Sequence, residues 1–425
     1  MKASELLFIS VATLVPFQSG WAQSATPART AAAAVVLGTA LPAVPVRETA
    51  VGTHRPHLMI RSALTSASMS PQSLPSFCNI VIPGLGFVFC PNALQKAYSV
   101  NSIIGGNGGA GEVIGIVDAF HYGRANSDLS VFSAEMGLPQ CTIANGCFKQ
   151  VNQLGGAPRA SGNSNWELET MLDLEYAHAM APNAKLVLVE GDDNSFINLN
   201  IAVATALNVF NVDVLSNSYG TVTFPGEQSL DGTYMVNKPI LFSSGDEGTP
   251  TSYRCASGFV TCVGGTTLVV NALFNRVSET GWAGSGGGCA ASEPAQPYQT
   301  GHGITLCGTT RATPDVAAIA DPNTGVAVYD SGNGGHFLVG GTSLATPVMA
   351  GLVADINTAR ASFGKAKLGA LNTGLYNAFA GNYPYFYFDV VSGNNGLPAK
   401  PGYDLVTGLG VAKAPAMANR FFGLP

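Results

Sequence analysis

The sequence is short of charge. Only 11% of its 425 residues are Asp, Glu, Lys or Arg, against about 25% in an ordinary globular domain. Lys and Arg form no cluster and the formal net charge is −6, which argues against nucleic acid as a partner. Past the N-terminus no apolar run reaches the roughly 18 residues of a membrane span. The Ala/Val-rich stretch 31–46 is too short and is broken by Pro42 and Pro45. No two cysteines stand in a C-x-x-C arrangement, so a zinc finger is not expected.

These shortages have a physical consequence. Lys and Arg number 20 and His 6, so even full protonation leaves a modest positive charge and limited self-repulsion. Few carboxylates means few native salt bridges to lose in acid. The composition therefore fits tolerance of low pH. What is abundant is apolar or small, with 46% hydrophobic residues and 51 glycines. That suffices for one large α/β domain or two ordinary ones.

The N-terminus reads as an export signal over residues 1–22. Lys2 precedes an apolar run from Leu6 to Phe17, and Gly20-Trp21-Ala22 offers a small-residue cleavage site. This predicts a secreted protein, extracellular or periplasmic. Residues 23–77 are rich in Ala, Thr, Pro and Ser without a clean period, and read as a low-complexity linker or short pro-segment. Ordered sequence is expected from Cys78, with one domain over 78–425. The eight cysteines fall as near neighbours: Cys78/Cys90, Cys141/Cys147, Cys255/Cys262 and Cys289/Cys307. Eight cysteines allow 105 pairings; local pairing is the simplest.

From Gly111 onward a β-then-α rhythm sets in. Strand-like apolar runs are Val113–Ala119, Lys185–Glu190, Val212–Ser216, Pro239–Ser243, Thr267–Val270, Gly325–Tyr329 and Phe337–Val339. Helical patterns cover Trp166–Ala181, Phe196–Val209 and Ser343–Thr358. Short apolar strands alternating with helices predict an α/β fold with a parallel central sheet and helices on both faces. Ligand sites in such folds lie at the carboxyl ends of strands, where Asp118, Ser216–Tyr219 and Asp246 fall.

The sharpest chemical signal is Gly340-Gly341-Thr342-Ser343-Leu344-Ala345-Thr346-Pro347, leading into an apolar helix. Two glycines permit a tight turn, and Ser343 starts the helix, where free N–H groups favour developing negative charge. An acyl-transfer nucleophile needs this setting. Upstream, Glu169 and Asp173 stand at i, i+4 within Glu169-Thr170-Met171-Leu172-Asp173, followed by Ala177-His178-Ala179-Met180-Ala181-Pro182. That spacing puts both acids on one helix face, where two carboxyls share a proton and titrate as a pair. A third segment, Ser243-Ser244-Gly245-Asp246-Glu247-Gly248, follows a strand.

These three segments together resemble the sedolisins, the serine-carboxyl peptidases of the subtilisin-like clan. The resemblance extends over about residues 90–425, including Ala93-Leu94-Gln95-Lys96-Ala97-Tyr98, Trp282 to Gln299 and Arg311 to Gly325. It implies a subtilisin-like fold and a serine endopeptidase with Ser343 as nucleophile. It makes Glu169 the general base, Asp173 its partner, and Asp246 an oxyanion donor that must be protonated. A histidine base, with a reference pKa of about 6.5, is cationic in acid; a Glu near about 4.3 still accepts a proton there. None of the six histidines stands in the H-G-T-type motif of subtilases, and His178 is read as a packed or surface residue. Glu167 and Glu175 compete for the role of base, but neither has an Asp four residues on.

The resemblance further implies one structural Ca2+. Asp389 and Asp404 would give carboxylate oxygens and Val390, Lys400 and Gly402 main-chain carbonyls, with water completing the shell. It implies a monomer acting on protein or peptide substrates, with neither nucleic acid nor membrane as partner. Sedolisins usually carry a long folded pro-domain, whereas here fewer than 70 residues separate the signal from the start of the resemblance. Two alternatives are a neutral subtilase using Asp118 and a histidine, and a non-catalytic secreted binding protein on the same scaffold. A sugar hydrolase is excluded, because carboxyls one helical turn apart lie side by side and not across a ring.

Overall fold

The strand Val113–Ala119 is almost wholly buried and lies in the middle of the largest sheet. In the computed structural model, which describes residues 36–37, 52–65, 74–104, 107–159 and 162–418, that sheet runs from Arg276–Gly281 through Thr261–Val270, Ile240–Ser243, Val214–Asn217, Val113–Ala119 and Lys185–Gly191 to Phe148–Asn152. Val316–Ile319 pairs alongside Thr261–Val270. All these pairings are parallel except that of Arg276–Gly281. The expected signal segment 1–22 lies outside the described residues.

Alternation along one strand builds two cores. Ile114 and Ile116 enter one, shared with the helices Ser164–Met180 and Thr342–Ser362. Val117 and Ala119 enter the other, shared with Leu199, Ala202, Val203 and Ala206 of the helix Phe196–Asn208. Successive strand side chains point to opposite faces, so Asp118 shares a face with Ile114 and Ile116. Helices therefore cover both faces, as the strand-and-helix rhythm predicts. The four disulfides join Cys78 to Cys90, Cys141 to Cys147, Cys255 to Cys262 and Cys289 to Cys307.

Three features differ from the sequence reading. The strand Thr261–Val270 is longer than Thr267–Val270, because Gly264 and Gly265 mute its strand signal. A Cβ at Gly265 would stand 2.6 Å from Ala320 Cβ and 2.8 Å from the Trp282 ring. The runs near residues 326 and 337 are not part of the central sheet: Val326–Asp330 and Gly335–Gly340 form an antiparallel hairpin. Their connection is too short for anything else, since parallel neighbours need a crossover of a dozen or more residues. Finally, residues 52–65, read as part of a segment with little fixed structure, are ordered. Arg55–Pro56 pairs with Tyr219–Val222, and Met59–Thr65 pairs with Gly335–Gly340. That order comes from partners remote in sequence, which local composition does not report.

The helix Ser164–Met180 starts at Asn163, whose side chain accepts the Asn165 N–H. It is buried all round from Leu168 onward, as befits a core helix. It crosses the helix Thr342–Ser362 at Gly351, where a Cβ would meet Met180 Cβ at 2.4 Å. The crossing holds Glu169 and Asp173 beside the start of the second helix. Gly351→Ala is therefore expected to lose about 1–2 kcal/mol, overpacking outweighing the better helix propensity of alanine. Urea unfolding checks this, as a lower midpoint at unchanged m-value.

Candidate active site

Ser343 is fully buried at the second residue of the helix Thr342–Ser362. The strand Gly335–Gly340 delivers the chain, and Gly341 turns it at φ +108°. Only glycine fits this turn. A Cβ there would sit 2.2 Å from the His57 carbonyl oxygen and 2.5 Å from Asp246 Oδ2. First-turn N–H groups have no partner inside their own helix. The Ser343 N–H donates to the His57 carbonyl at 3.0 Å. The Ser343 hydroxyl donates to the Ser218 carbonyl at 3.2 Å.

Asp246 follows the strand Ile240–Ser243. Its Oδ1 accepts the Thr342 N–H at 2.7 Å and the Thr342 hydroxyl at 2.8 Å. That hydroxyl in turn accepts the Gly245 N–H at 3.1 Å. Part of Asp246 reaches solvent, but its Oδ2 is buried without a partner among the described residues. Burial pushes its pKa up to about 7, against the pull of the Thr342 donors. At acid pH the free oxygen carries a proton that it can donate.

Glu169 and Asp173 lie on the helix Ser164–Met180 and are wholly buried. Neither carboxyl has a hydrogen-bond partner among the described residues. Burial raises the Glu169 pKa well above the usual range, and Asp173 and Asp118 raise it further. The nearby Ser343 hydroxyl favours the charged form of Glu169, although its bond goes to Ser218. Asp173 is raised too, by burial and then by Asp118. Asp118 is pushed to about 8, chiefly by burial. The structure thus brings Glu169, Asp173, Asp118, Asp246 and Ser343 within electrostatic reach of one another. Asp118, which the sequence places at the carboxyl end of a strand, is a third buried carboxyl beside the pair.

The other candidates find partners elsewhere. Glu175 accepts the Tyr329 N–H at 3.1 Å, and His178 Nε2 lies 2.8 Å from the Pro139 carbonyl, a packed residue. Glu167 is only partly buried. Two contacts were not assigned from the sequence: Ser218 as the acceptor of the serine hydroxyl, and His57 as the acceptor of the serine N–H. Ser218 lies within the strand end marked as ligand-facing; His57 stands in no motif at all.

The loops carrying Asp389 and Asp404 come together. Asp389 accepts the Tyr383 hydroxyl at 2.8 Å and the Gly402 N–H at 3.2 Å. Asp404 accepts the N–H groups of Lys400 at 3.0 Å, Val406 at 2.8 Å and Thr407 at 2.8 Å. Both carboxylates act on the Tyr383 hydroxyl electrostatically. Among the described residues no three His, Cys, Asp or Glu side chains converge. An ion here would draw on these two carboxylates and main-chain carbonyls, an all-oxygen set that fits a hard cation.

Buried acids set the pH response of the fold. Asp118 and Glu293 are raised to about 8, and Asp246, Glu112 and Glu227 to about 7, in each case first by burial. The unfolded chain releases these protons near pH 4, so unfolding releases protons and stability falls as pH rises toward the folded values. The buried neutral histidines His54, His57 and His178 act oppositely, but only below about 6.5, where unfolded histidine binds a proton. The melting temperature is therefore expected to fall from about pH 6.5 to about pH 8. Thermal scans across that window check it; a flat or rising profile would contradict the assignment.

Known proteins resemble this chain in sequence and fold. The sequence profile described as the subtilase family matches residues 156–375, about half of the chain. Kumamolisin of Bacillus sp. (strain MN-32) is 29% identical over 364 residues, covering 76% of this chain and 61% of kumamolisin. Sedolisin of Pseudomonas sp. (strain 101) is 25% identical over 350 residues, covering 71% of this chain and 56% of that protein. The chain thus spans about three fifths of the length of these relatives. The solved structure of Pseudomonas sedolisin complexed with pseudo-iodotyrostatin superposes with a TM-score of 0.66 at 24% identity, over 79% of this chain and 98% of the other. This likeness shows the subtilisin-like α/β fold. The chain belongs to the subtilase family and, within the subtilisin-like clan, to its sedolisin (serine-carboxyl peptidase) branch.

Proposed function

We propose that the chain is a secreted serine-carboxyl endopeptidase that cleaves peptide bonds of proteins in acid. The observation that carries this is the buried setting of Ser343, with Glu169, Asp173 and Asp246 around it and no histidine ring bonded to its hydroxyl. The six histidines have other partners: His54 with Arg254, His57 with Ser243, His121 with Glu190, His178 with Pro139, His302 with Asn377 and His336 with Glu135. That speaks against the neutral subtilase with Asp118 and a histidine base. Four disulfides fit an oxidising compartment, and no described helix is long and apolar enough to cross a membrane.

In the reaction, Glu169 takes the proton of Ser343 as Oγ attacks the scissile carbonyl. Asp173 shares the charge of Glu169, so the pair works with one proton between two carboxyls. The developing oxyanion accepts from the Ser343 N–H and from protonated Asp246. Glu169 then protonates the leaving amine, and water hydrolyses the acyl-enzyme. The enzyme acts as a monomer on protein or peptide substrates. The carboxylates of Asp389 and Asp404 and the carbonyls of Val390, Lys400 and Gly402 would hold one structural Ca2+, whose charge would serve to tie the loop after residue 388 to that around residue 402.

Hydrolysis of a denatured protein from about pH 2 to 8 tests the assignment. Ser343→Ala and Glu169→Gln are each expected to lose at least about 10³-fold in kcat. Activity should fall on the alkaline side as Asp246 ionises, at about 7. Asp246→Asn keeps a donor without a titrating proton, so that fall should flatten or move. A neutral optimum untouched by Glu169→Gln would sink the assigned base.

Chelation tests the cation separately. Saturating calcium at about 100 times Kd adds about 2.7 kcal/mol of stability. Excess EDTA is therefore expected to lower the melting temperature by at least about 3 °C, and Asp389→Ala should abolish that dependence. A melting temperature indifferent to calcium would remove the ion from this reading.

A further inference from the structure

Arg254 and Arg311 have no exposed surface. Taking a charge out of water is costly unless the charge is paired. Arg311 is paired: its Nη2 lies 2.5 Å from Asp315 Oδ2, and its other nitrogens reach the Cys255 carbonyl and the Tyr298 hydroxyl. Arg254 is not. It has no ion pair, and its Nη2 has no hydrogen-bond partner, among the described residues. Its Nη1 donates to the Tyr253 hydroxyl. The guanidinium lies over the rings of Phe196, Tyr234 and Tyr253, at 5.1, 5.6 and 4.5 Å from their centroids. Ring faces attract a cation but supply no anion.

The unpaired cation lies beside the cleft. A peptide that pairs with Tyr219–Gly220 and brings one carbonyl to the Ser343 N–H has its register fixed, and residues 54–57 trace that register. Pro56 stands opposite Tyr219 and Arg55 opposite Gly220. The His57 N–H donates to the Ser218 carbonyl at 3.1 Å, and the His57 carbonyl accepts the Ser343 N–H at 3.0 Å. Counting back from His57, the fourth residue before a cut bond falls where His54 stands. That place is enclosed, since His54 is wholly buried with the rings of Phe196 and Tyr219 at 4.5 and 5.1 Å between centroids. Arg254 Nε donates to His54 Nε2 at 3.3 Å. His54 satisfies the place incompletely. Burial, and then Arg254, hold its pKa well below the usual histidine value, so its neutral ring offers a lone pair and no charge. Its Nδ1 has no partner among the described residues.

The acids near Arg254 do not supply the missing charge in acid. Arg254 favours the charged forms of Glu227 and Asp231, yet burial raises them to about 7 and about 6. Glu293, which acts on neither side of that pair with a free charge in acid, is raised to about 8, first by burial. Below those values all three hold protons. The other titratable groups about the site are His57, Tyr219, Tyr234, Tyr253 and Arg311. None of them is an anion in acid.

We propose that Arg254 is a specificity residue that selects glutamate as the fourth residue before the cut bond. The inference rests on the reading of Ser343 as the nucleophile. Glutamate fits by reach: its carboxylate oxygens stand as many bonds from the main chain as Nε2 of a histidine, and those of aspartate one bond fewer. The guanidinium holds the substrate carboxyl ionised below its reference value of about 4.3. The pair forms out of water, where a charge-assisted hydrogen bond is strong. The rings of Phe196 and Tyr219 cover the side-chain stem. Arg254 touches no reacting atom, and its effect is read in kcat/KM.

The full chain is held at about pH 4 until its rate on a reference peptide is steady. It then receives peptides that are cut at one bond, verified by mass, and differ only at the fourth residue before it: Glu, Asp, Gln, Leu, Phe or Lys. The Glu peptide should rank first in kcat/KM, at least about tenfold above Leu, with Asp and Gln between them and Lys last. The ratio of Glu to Gln should grow from about pH 3 to about pH 5, as the substrate carboxyl ionises. Peptides with only three residues before the cut should lose the gain. Arg254→Gln should bring Glu and Gln together whatever its absolute rates, and Arg254→Lys, which keeps the charge, should retain part of the ratio. If Arg254→Gln does not fold, the wild-type ranking decides by itself. Equal rates across the set, or Leu or Phe above Glu as an apolar pocket would give, overturn this inference and leave the peptidase reading intact. A preference for Glu that persists in Arg254→Gln overturns it too, by assigning the choice to another group. No hydrolysis of any peptide overturns both.

Discussion

Burial of carboxyl groups around one serine is the constraint on which the rest of the structure depends. Asp118, Glu169 and Asp173 have no exposed surface and no hydrogen-bond partners among the described residues, and Asp246 adds an unpartnered oxygen close by. Ionised carboxylates isolated in such a place are costly, so these groups hold protons to higher pH than free acids do. The proposed chemistry uses both consequences: Asp246 keeps a proton to donate, and Glu169 serves as base only while it and Asp173 hold one proton between them. The expected decline of stability on the alkaline side has the same origin, in a chain that is otherwise sparing with charge.

Bringing those groups together is a matter of close approach between main chains. Gly351 lets the helix Ser164–Met180 settle on Thr342–Ser362, which carries the two acids to the serine. Gly341 turns the chain at positive φ where a side chain would strike both His57 and Asp246. The parallel sheet sets the remaining pieces, since Asn217 and Ser243 end their strands and Asp118 is the last residue but one of the neighbouring strand, all on the same edge. The site is thus the junction of two helices and three strand ends, without a flexible loop at its centre.

The same junction receives the chain's own N-terminal segment. Extended backbone needs only an unpaired strand edge, and Ser218–Gly220 offers one beside the nucleophile. The pairing explains how a stretch of unremarkable composition becomes ordered, and it ties that order to the chemistry of Ser343.

Much of this was legible in the sequence. The alternation of apolar strands with helices gave the layered sheet, because period and length are local properties of the chain. The serine turn, the i, i+4 acids and the Ser-Gly-Asp segment marked the site, because each needs particular residues at fixed spacing. Local cysteine spacing matched the disulfides, since short loops close most readily. The tertiary structure alone decided what spacing does not encode. Acids that would be a solvated helix face on most helices are buried here because that helix is covered on every side. Asp118 joins them because its strand lies beneath that helix. Thr342 and Ser218 hold the reacting groups through contacts that span about a hundred residues or more. The path of residues 52–65 through the cleft is set by edges that are distant in sequence, and a strand bound by its neighbours' main-chain groups leaves no signature in its own side chains.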